Sequence, residues 1–326
     1  MTSLARRTLL AAAAVLTACG EPATGPAERI IVPPGATFAS VTDSLVAHGL
    51  VRNRFWFKLR ARLMGVDRSV HAGVYEVNRA MSSSDVLAIL AAGQSAVIRF
   101  TVPEGLTLFD VADLAATRAG IPRDSVLAAA RDTALIDSLG LPGRTLEGFL
   151  HPDTYQLPAN ITGREVVLMM ADGFKHTWEP AWTARLDSIG MSQLELVTLA
   201  SIVEGEARAD DEREIIASVY LNRLHRGMAL QADPTVQYAI MLRTGDRKPR
   251  LYDKDYQTPS PYNTYLQPGL PPGPVNSPSR RSIEASLYPT DTPYLYFVAG
   301  PDGRHVFTRS YEEHLRAIAR VRRKGS

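Results

Sequence analysis

The chain has 326 residues, with 36 basic and 34 acidic side chains and a formal net charge of +2. That balance argues against a nucleic-acid binder, which usually carries a basic excess on one face, and 45% hydrophobic residues exclude a disordered tail. The one cysteine, Cys19, excludes an internal disulfide, a thiolate zinc site and an iron–sulfur cluster, and the length implies two domains.

Arg6 and Arg7 precede an uncharged, mostly apolar run from Thr8 to Ala18. Such a run spans about 16 Å as a helix, whereas roughly 20 apolar residues are needed to cross a bilayer. It reads as the core of a secretory signal. Its end, Leu16-Thr17-Ala18-Cys19-Gly20, resembles a lipobox, cleaved before a cysteine that becomes acylated. An ordinary signal peptide with an unrelated cysteine and a buried alanine-rich helix are the alternatives. Residues 1–18 are thus assigned to the signal, Cys19 to lipidation, and residues 19–29, rich in Gly, Pro and Ala, to a linker. The expected location is the cell envelope, membrane-anchored, with the body on the extracytoplasmic side.

An internal repeat follows. Val32-Pro33-Pro34-Gly35-Ala36-Thr37 recurs as Val102-Pro103-Glu104-Gly105-Leu106-Thr107, an offset of 70. Each copy reads strand, Pro-Gly turn, amphipathic helix. The helices are expected over 38–48 and 108–119, closed by Gly49 and Gly120. Small β-α units of this kind resemble LysM-like peptidoglycan-binding modules; a recurring packing unit without a ligand is the other reading. Residues 30–100 are assigned to such a module and 101–326 to a second, catalytic domain.

Residues 123–190 are mainly helical in pattern, interrupted over 146–158, and residues 192–227 read as two helices. Nine prolines then fall within the 36 positions 258–293, and seven of the 12 tyrosines lie between Tyr252 and Tyr296. Proline excludes regular helix and central strand, so an irregular Pro/Tyr-rich wall held by aromatic packing is expected there. Residues 294–299 read as a strand and 311–322 as a closing basic helix. The fold class is α+β: LysM-like β/α modules followed by a mixed α/β catalytic domain.

No P-loop, GxGxxG, HExxH or GxSxG occurs, and no metal or cofactor is expected; carboxylates remain as the candidate chemistry. Val197, Ala200, Ser201 and Glu204 share one helix face, so Glu204 continues an apolar stripe, and Gly205 is read as closing the helix. An apolar setting and the negative end of the helix would both push its pKa up, as a proton donor at neutral pH requires. A solvated glutamate at a frayed end is the alternative. Glu206, two residues on, points to a different side. A second carboxylate would have to come from Glu147, Asp153 or Asp233. The helix after Asp210 carries Ile216, Val219, Tyr220 and Leu224 on an apolar face and reads as a support.

Leu199-Ala200-Ser201-Ile202-Val203-Glu204-Gly205-Glu206 is similar to the signature of the YceG-like family of endolytic murein transglycosylases. The likeness continues, in the family's order, through residues 217–224 and 228–236, through Ser260-Pro261-Tyr262-Asn263-Thr264-Tyr265, and through residues 269–274 and 292–298. Upstream, Leu146 to Tyr155 fits as well. The resemblance implies cleavage between N-acetylmuramic acid and N-acetylglucosamine without water. The sugar's own 6-hydroxyl attacks the anomeric carbon and leaves a 1,6-anhydro end, terminating glycan elongation. It implies that Glu204 is the general acid and then the general base. Gln231, Asp233, Tyr262 and Asn263 are candidates for the glycan groove, Glu147 is a weaker one, and Glu206 weaker still. Glycan strands, the membrane through the acylated N-terminus and peptidoglycan synthases are the expected partners, and nucleic acid is not. The lipobox-like start departs from the family, whose members commonly begin with a transmembrane helix. A hydrolytic muramidase and a non-catalytic peptidoglycan-binding lipoprotein are the rival readings.

Overall fold

The computed structural model describes residues 27–32, 36–68, 70–71, 73–93, 98–158 and 161–324. The signal-like segment and Cys19 lie outside the described residues, as does the Pro-Pro-Gly turn of the first repeat. The chain divides into two compact units, the second of which holds residues 31–32 and 73–74 besides the chain from 98 onward.

Inward Ile30 and Val32 alternate with outward neighbours to make strand β1 (Glu28–Val32), which pairs with β2 (Gly73–Val77). Thr37 caps α1 (Phe38–Ala47), Asn53 caps α2 (Arg54–Leu63), and a Ser82–Asp85 capping box starts α3 (Ser83–Ala92). Val41, Leu45, Phe57, Ala61, Leu87 and Leu90 fill the core.

The second unit opens with β3 (Ile98–Thr101), antiparallel to β4 (Thr154–Leu157), with Phe100 opposite Tyr155. Residues 146–158, expected only as a break between helices, thus supply a strand. Between and after these strands come α4 (Leu108–Ala119), α5 (Arg123–Ala130), α6 (Thr133–Leu139), α7 (Gly163–Thr177) and α8 (Pro180–Ile189). The helices that carry the site follow: α9 (Gln193–Glu206), α10 (Arg213–His225), α11 (Asp233–Thr244) and α12 (Arg280–Leu287). Antiparallel β5 (Tyr296–Ala299) and β6 (His305–Thr308) and then α13 (Tyr311–Lys324) close the chain. Helices with two-stranded sheets make this an α+β protein.

Helix α9 is the axis of this unit. All eight residues from Leu196 to Val203 are buried, not only the stripe through Val197 and Ala200. A helix apolar all round has no solvent face. Leu196, Val197 and Ala200 join one hydrophobic core, while Leu199, Ile202 and Val203 join a second one with Ile216 and Tyr220 of α10. One buried helix therefore welds two cores. Among the described residues no single helix is long and apolar enough to cross a membrane.

Two local expectations are corrected, on Gly205 and on the proline-rich stretch, and Asp233–Pro234 adds a helix start. Gly205 does not end α9, which runs on to Glu206. Asp233 and Pro234 open a helix, with proline in its first turn where no N–H is missed. The proline-rich stretch contains α12, because residues 279–288 between Pro278 and Pro289 are free of proline and Ser279 caps them.

Gly205 has a packing reason to be glycine. A Cβ there would fall 2.6 Å from Pro234 Cγ, so the end of α9 and the start of α11 meet through bare backbone. Alanine favours a helix by about 1 kcal/mol over glycine. Gly205→Ala is nevertheless expected to lower the melting temperature, because overpacking costs about 1–3 kcal/mol. A raised melting temperature in a thermal scan would show that Pro234 yields freely.

Candidate active site

The last turn of α9 projects two carboxylates to opposite sides, as their spacing demands. Their surroundings differ in kind.

Glu204 enters a cradle of donors. Ser279 gives it the backbone N–H at 3.0 Å and Oγ at 2.5 Å, and Ser282 Oγ lies at 2.7 Å, all on Oε2. Arg213 Nη2 reaches Oε1 at 3.2 Å. The ion pair is nearly sealed, with side-chain exposures of 10% for Arg213 and 7% for Glu204. Burial pushes the Glu204 carboxyl up, but the Ser279 and Ser282 hydroxyls, the Ser279 N–H and the Arg213 charge together outweigh it. The net shift is below the ordinary carboxylate range. The raised pKa expected from the end of α9 is therefore not found. The start of α12 faces the same carboxylate and supplies donors and a positive helix end. Glu204 ties α9, α10 and α12 together as an ionised anchor.

Glu206 lies on the wall of a cavity of about 530 Å³, half-buried. Tyr220 of α10 donates its hydroxyl to Glu206 Oε1 at 3.0 Å, and the backbone N–H at the start of α11 also points to it. Burial first, and the neighbouring Asp233 charge second, push its carboxyl up to about 7. This is the environment that was expected for Glu204.

Asp233 lines the same cavity. Tyr265 Oη donates to Asp233 Oδ1 at 2.7 Å, and Tyr256 Oη approaches Oδ2 at 3.5 Å. The two rings pack 4.5 Å apart. Burial, then the Asp233 charge, raises the Tyr265 pKa, so that phenol stays a donor. Gln231 is also on the wall and carries φ +50°, the one positive φ at a non-glycine among the described residues. Its N–H bonds Thr264 O at 3.1 Å. Strained backbone of this kind concentrates at functional sites. Arg208, Arg250, His305 and His314 complete the polar lining.

Three of the sequence candidates lie elsewhere. Asn263 is fully buried, and its amide bonds the carbonyls of Tyr256 and Thr258 and the N–H of Tyr265, so it shapes the Pro/Tyr-rich loop from inside. Tyr262 packs on Tyr238 with ring centroids 4.9 Å apart, away from the cavity lining. Glu147 is 2% exposed, and both its oxygens accept the Leu108 N–H at 3.1 Å at the start of α4. Burial pushes Glu147 up to about 8, so it is a neutral structural group at pH 7. Conversely, the sequence places Tyr220 only on a supporting apolar face and assigns Tyr256 and Tyr265 no role in the site. The available signal was that a buried tyrosine hydroxyl needs a partner.

No group of three or more His, Cys, Asp or Glu at metal-binding distance occurs among the described residues. A larger groove of about 740 Å³, walled by Met191, Leu194, Leu221 and Leu270, is mainly apolar and does not touch either glutamate at the end of α9.

A near-neutral carboxyl in a polar cleft, flanked by a second carboxylate and hydrogen-bonded phenols, is the equipment of a general acid–base enzyme. The chain belongs to the YceG-like family, whose model matches residues 30–320. It is 31% identical over 304 residues to an endolytic murein transglycosylase of Bacillus subtilis, covering 89% of this chain and 83% of that protein. It is 30% identical over 317 residues to an endolytic murein transglycosylase of Streptococcus pneumoniae, spanning 88% of this chain but only 57% of that longer protein. The crystal structure of a YceG-like protein from Listeria monocytogenes superposes with a TM-score of 0.64 at 29% identity, covering 90% of this chain and all of that one.

Glu204→Gln is expected to cost about 3 kcal/mol of stability, because Arg213 loses its buried counter-charge. The Glu204 pKa is depressed on folding, so its contribution is present above the unfolded value and lost as pH falls through the folded one. Melting temperature against pH should therefore drop more steeply on the acid side for the parent than for Glu204→Gln. Equal melting temperatures for the two proteins at pH 7 would refute the anchoring role.

Proposed function

We propose that this chain is an endolytic murein transglycosylase, a lyase that cuts peptidoglycan strands between N-acetylmuramic acid and N-acetylglucosamine, with Glu206 as its general acid–base. One observation carries the assignment: the carboxyl that combines a near-neutral pKa with a place on the cavity wall is Glu206. Glu204, the acid that the family resemblance implies, accepts from four donors in this arrangement and is the second reading for the same role.

In the proposed reaction the Glu206 proton passes to the glycosidic oxygen as the bond from the muramic acid C1 breaks. Positive charge grows at C1 and is stabilised by the Asp233 carboxylate, held in place by Tyr265. The 6-hydroxyl of the same sugar then bonds to C1 and returns its proton to Glu206. One C–O bond breaks, one forms, the acid is regenerated and no water is consumed. An intramolecular nucleophile needs no carboxylate nucleophile, because the substrate itself supplies the proximity. Gln231 belongs to the glycan contacts in this reading. The Pro/Tyr-rich loop forms the far wall, with buried Asn263 and half-buried Tyr262 supporting it.

The first unit is proposed as a LysM-like glycan-binding module, supported by its strand-turn-helix repeat. Attachment through acylated Cys19, with the body facing the extracytoplasmic side and near peptidoglycan synthases, is proposed from the lipobox-like segment.

Glu206→Gln is expected to lower glycan cleavage by about 10²–10⁴-fold while leaving the fold intact. Mass spectrometry of digested sacculi should find end groups one water lighter than hydrolytic ends. Parent-like cleavage by Glu206→Gln, or ordinary reducing ends alone, would overturn the proposal. Because the acid must be protonated, kcat/KM should fall as pH rises through about 7. Asp233→Asn removes a charge that raises this pKa, so the falling limb should move to lower pH; a limb that stays in place would exclude the coupling.

A further inference from the structure

Helix α2, RFWFKLRARL, presents two opposite apolar faces. Phe57 and Ala61, one turn apart, are buried in the first unit. About half a turn around, Phe55, Leu59 and Leu63 form a second stripe at i, i+4 and i+8, with Trp56 beside it. Phe55, Trp56 and Leu63 are 68%, 63% and 80% exposed. Phe57 and Ala61 are the helix's buried contribution to the core, and the outward stripe is left exposed. A contiguous exposed apolar patch marks an interaction surface.

The charges around the stripe say what it meets. By helical angle Lys58 and Arg62 flank one edge and Arg60 the other. The helix itself carries no carboxylate, and besides these three cations it holds Arg54, which is paired with Asp43. An apolar ridge rimmed by long cationic side chains, with aromatic rings at the border, is the build of a helix lying in a membrane interface. Apolar groups then enter the acyl boundary while the cations meet anionic headgroups. A sugar ring would find a stacking partner in Trp56, but none in the Leu59–Leu63 ridge.

We infer that α2 is a membrane-surface helix that docks the first unit on anionic lipid, by a contact separate from the proposed acyl anchor. The reading concerns lipid and is independent of glycan cleavage, so either can fail alone.

The test uses the chain from Gly20 onward, which lacks the signal-like segment and Cys19 but keeps both units, with sedimentation on phosphatidylglycerol-containing vesicles. Binding to these vesicles but not to pure phosphatidylcholine is expected, weakened by salt and accompanied by a blue shift of Trp56 fluorescence. Lys58→Gln and Arg62→Gln should each weaken binding about fivefold, the equivalent of about 1 kcal/mol per cation at an anionic surface. The double variant Trp56→Ser/Leu63→Ser should weaken it at least roughly tenfold, with an unchanged melting temperature because both side chains are exposed. Equal sedimentation of parent and variants would overturn the inference. So would binding to isolated sacculi that is lost on Trp56→Ser when vesicles are ignored, since α2 would then be a glycan surface.

Discussion

The second unit depends on how α9 ends. A helix buried on every side cannot place a charged residue cheaply, yet this one closes on two glutamates two positions apart. The fold resolves the conflict differently for each. Glu204 is neutralised by Arg213 and wrapped by the first turn of α12, which makes it a fastener for three helices. Glu206 meets one phenol, one backbone N–H, the Asp233 charge and the opposing Arg208 charge, and burial pushes its carboxyl up to about 7. The same helix thus presents, less than one turn apart, one carboxyl pushed down and one pushed up.

The rest of the site follows from that division. Because Gly205 has no side chain, α11 begins against the end of α9, and Asp233 arrives beside Glu206. The irregular loop after α11 is held from inside by the Asn263 amide and delivers Tyr256 and Tyr265 to the Asp233 carboxylate. The strained backbone of Gln231 lies on the short link between α10 and α11, where the cavity wall turns. Rigid parts hold the polar groups, and the strain is confined to one residue of the wall.

Much of this architecture was legible in local patterns. Capping residues such as Thr107 and Ser192 and apolar periodicity mark where helices begin. The two carboxylates at the end of α9 were visible, and their divergence followed from helical geometry. Which of them faces the cavity was not legible. The donors that claim Glu204 come from Ser279 and Ser282, 75 and 78 residues downstream, and no local pattern announces that contact. Proline density hid α12 in the same way, because composition averages over a stretch whose prolines stand only at its two ends. Asn263 and Glu147 looked like groove residues since polar side chains suggest surface; both are instead buried and bonded to backbone.

The sorting of the two glutamates is tested most directly by their own titration. Carbon-13 NMR of side-chain-labelled glutamate, with Glu204→Gln and Glu206→Gln used only to assign the resonances, reads both carboxyls in the folded protein. Glu206 is expected to titrate near 7 and Glu204 below the ordinary carboxylate range. A Glu204 that titrates near neutrality beside an ordinary Glu206 would contradict the division of roles and return the acid to Glu204.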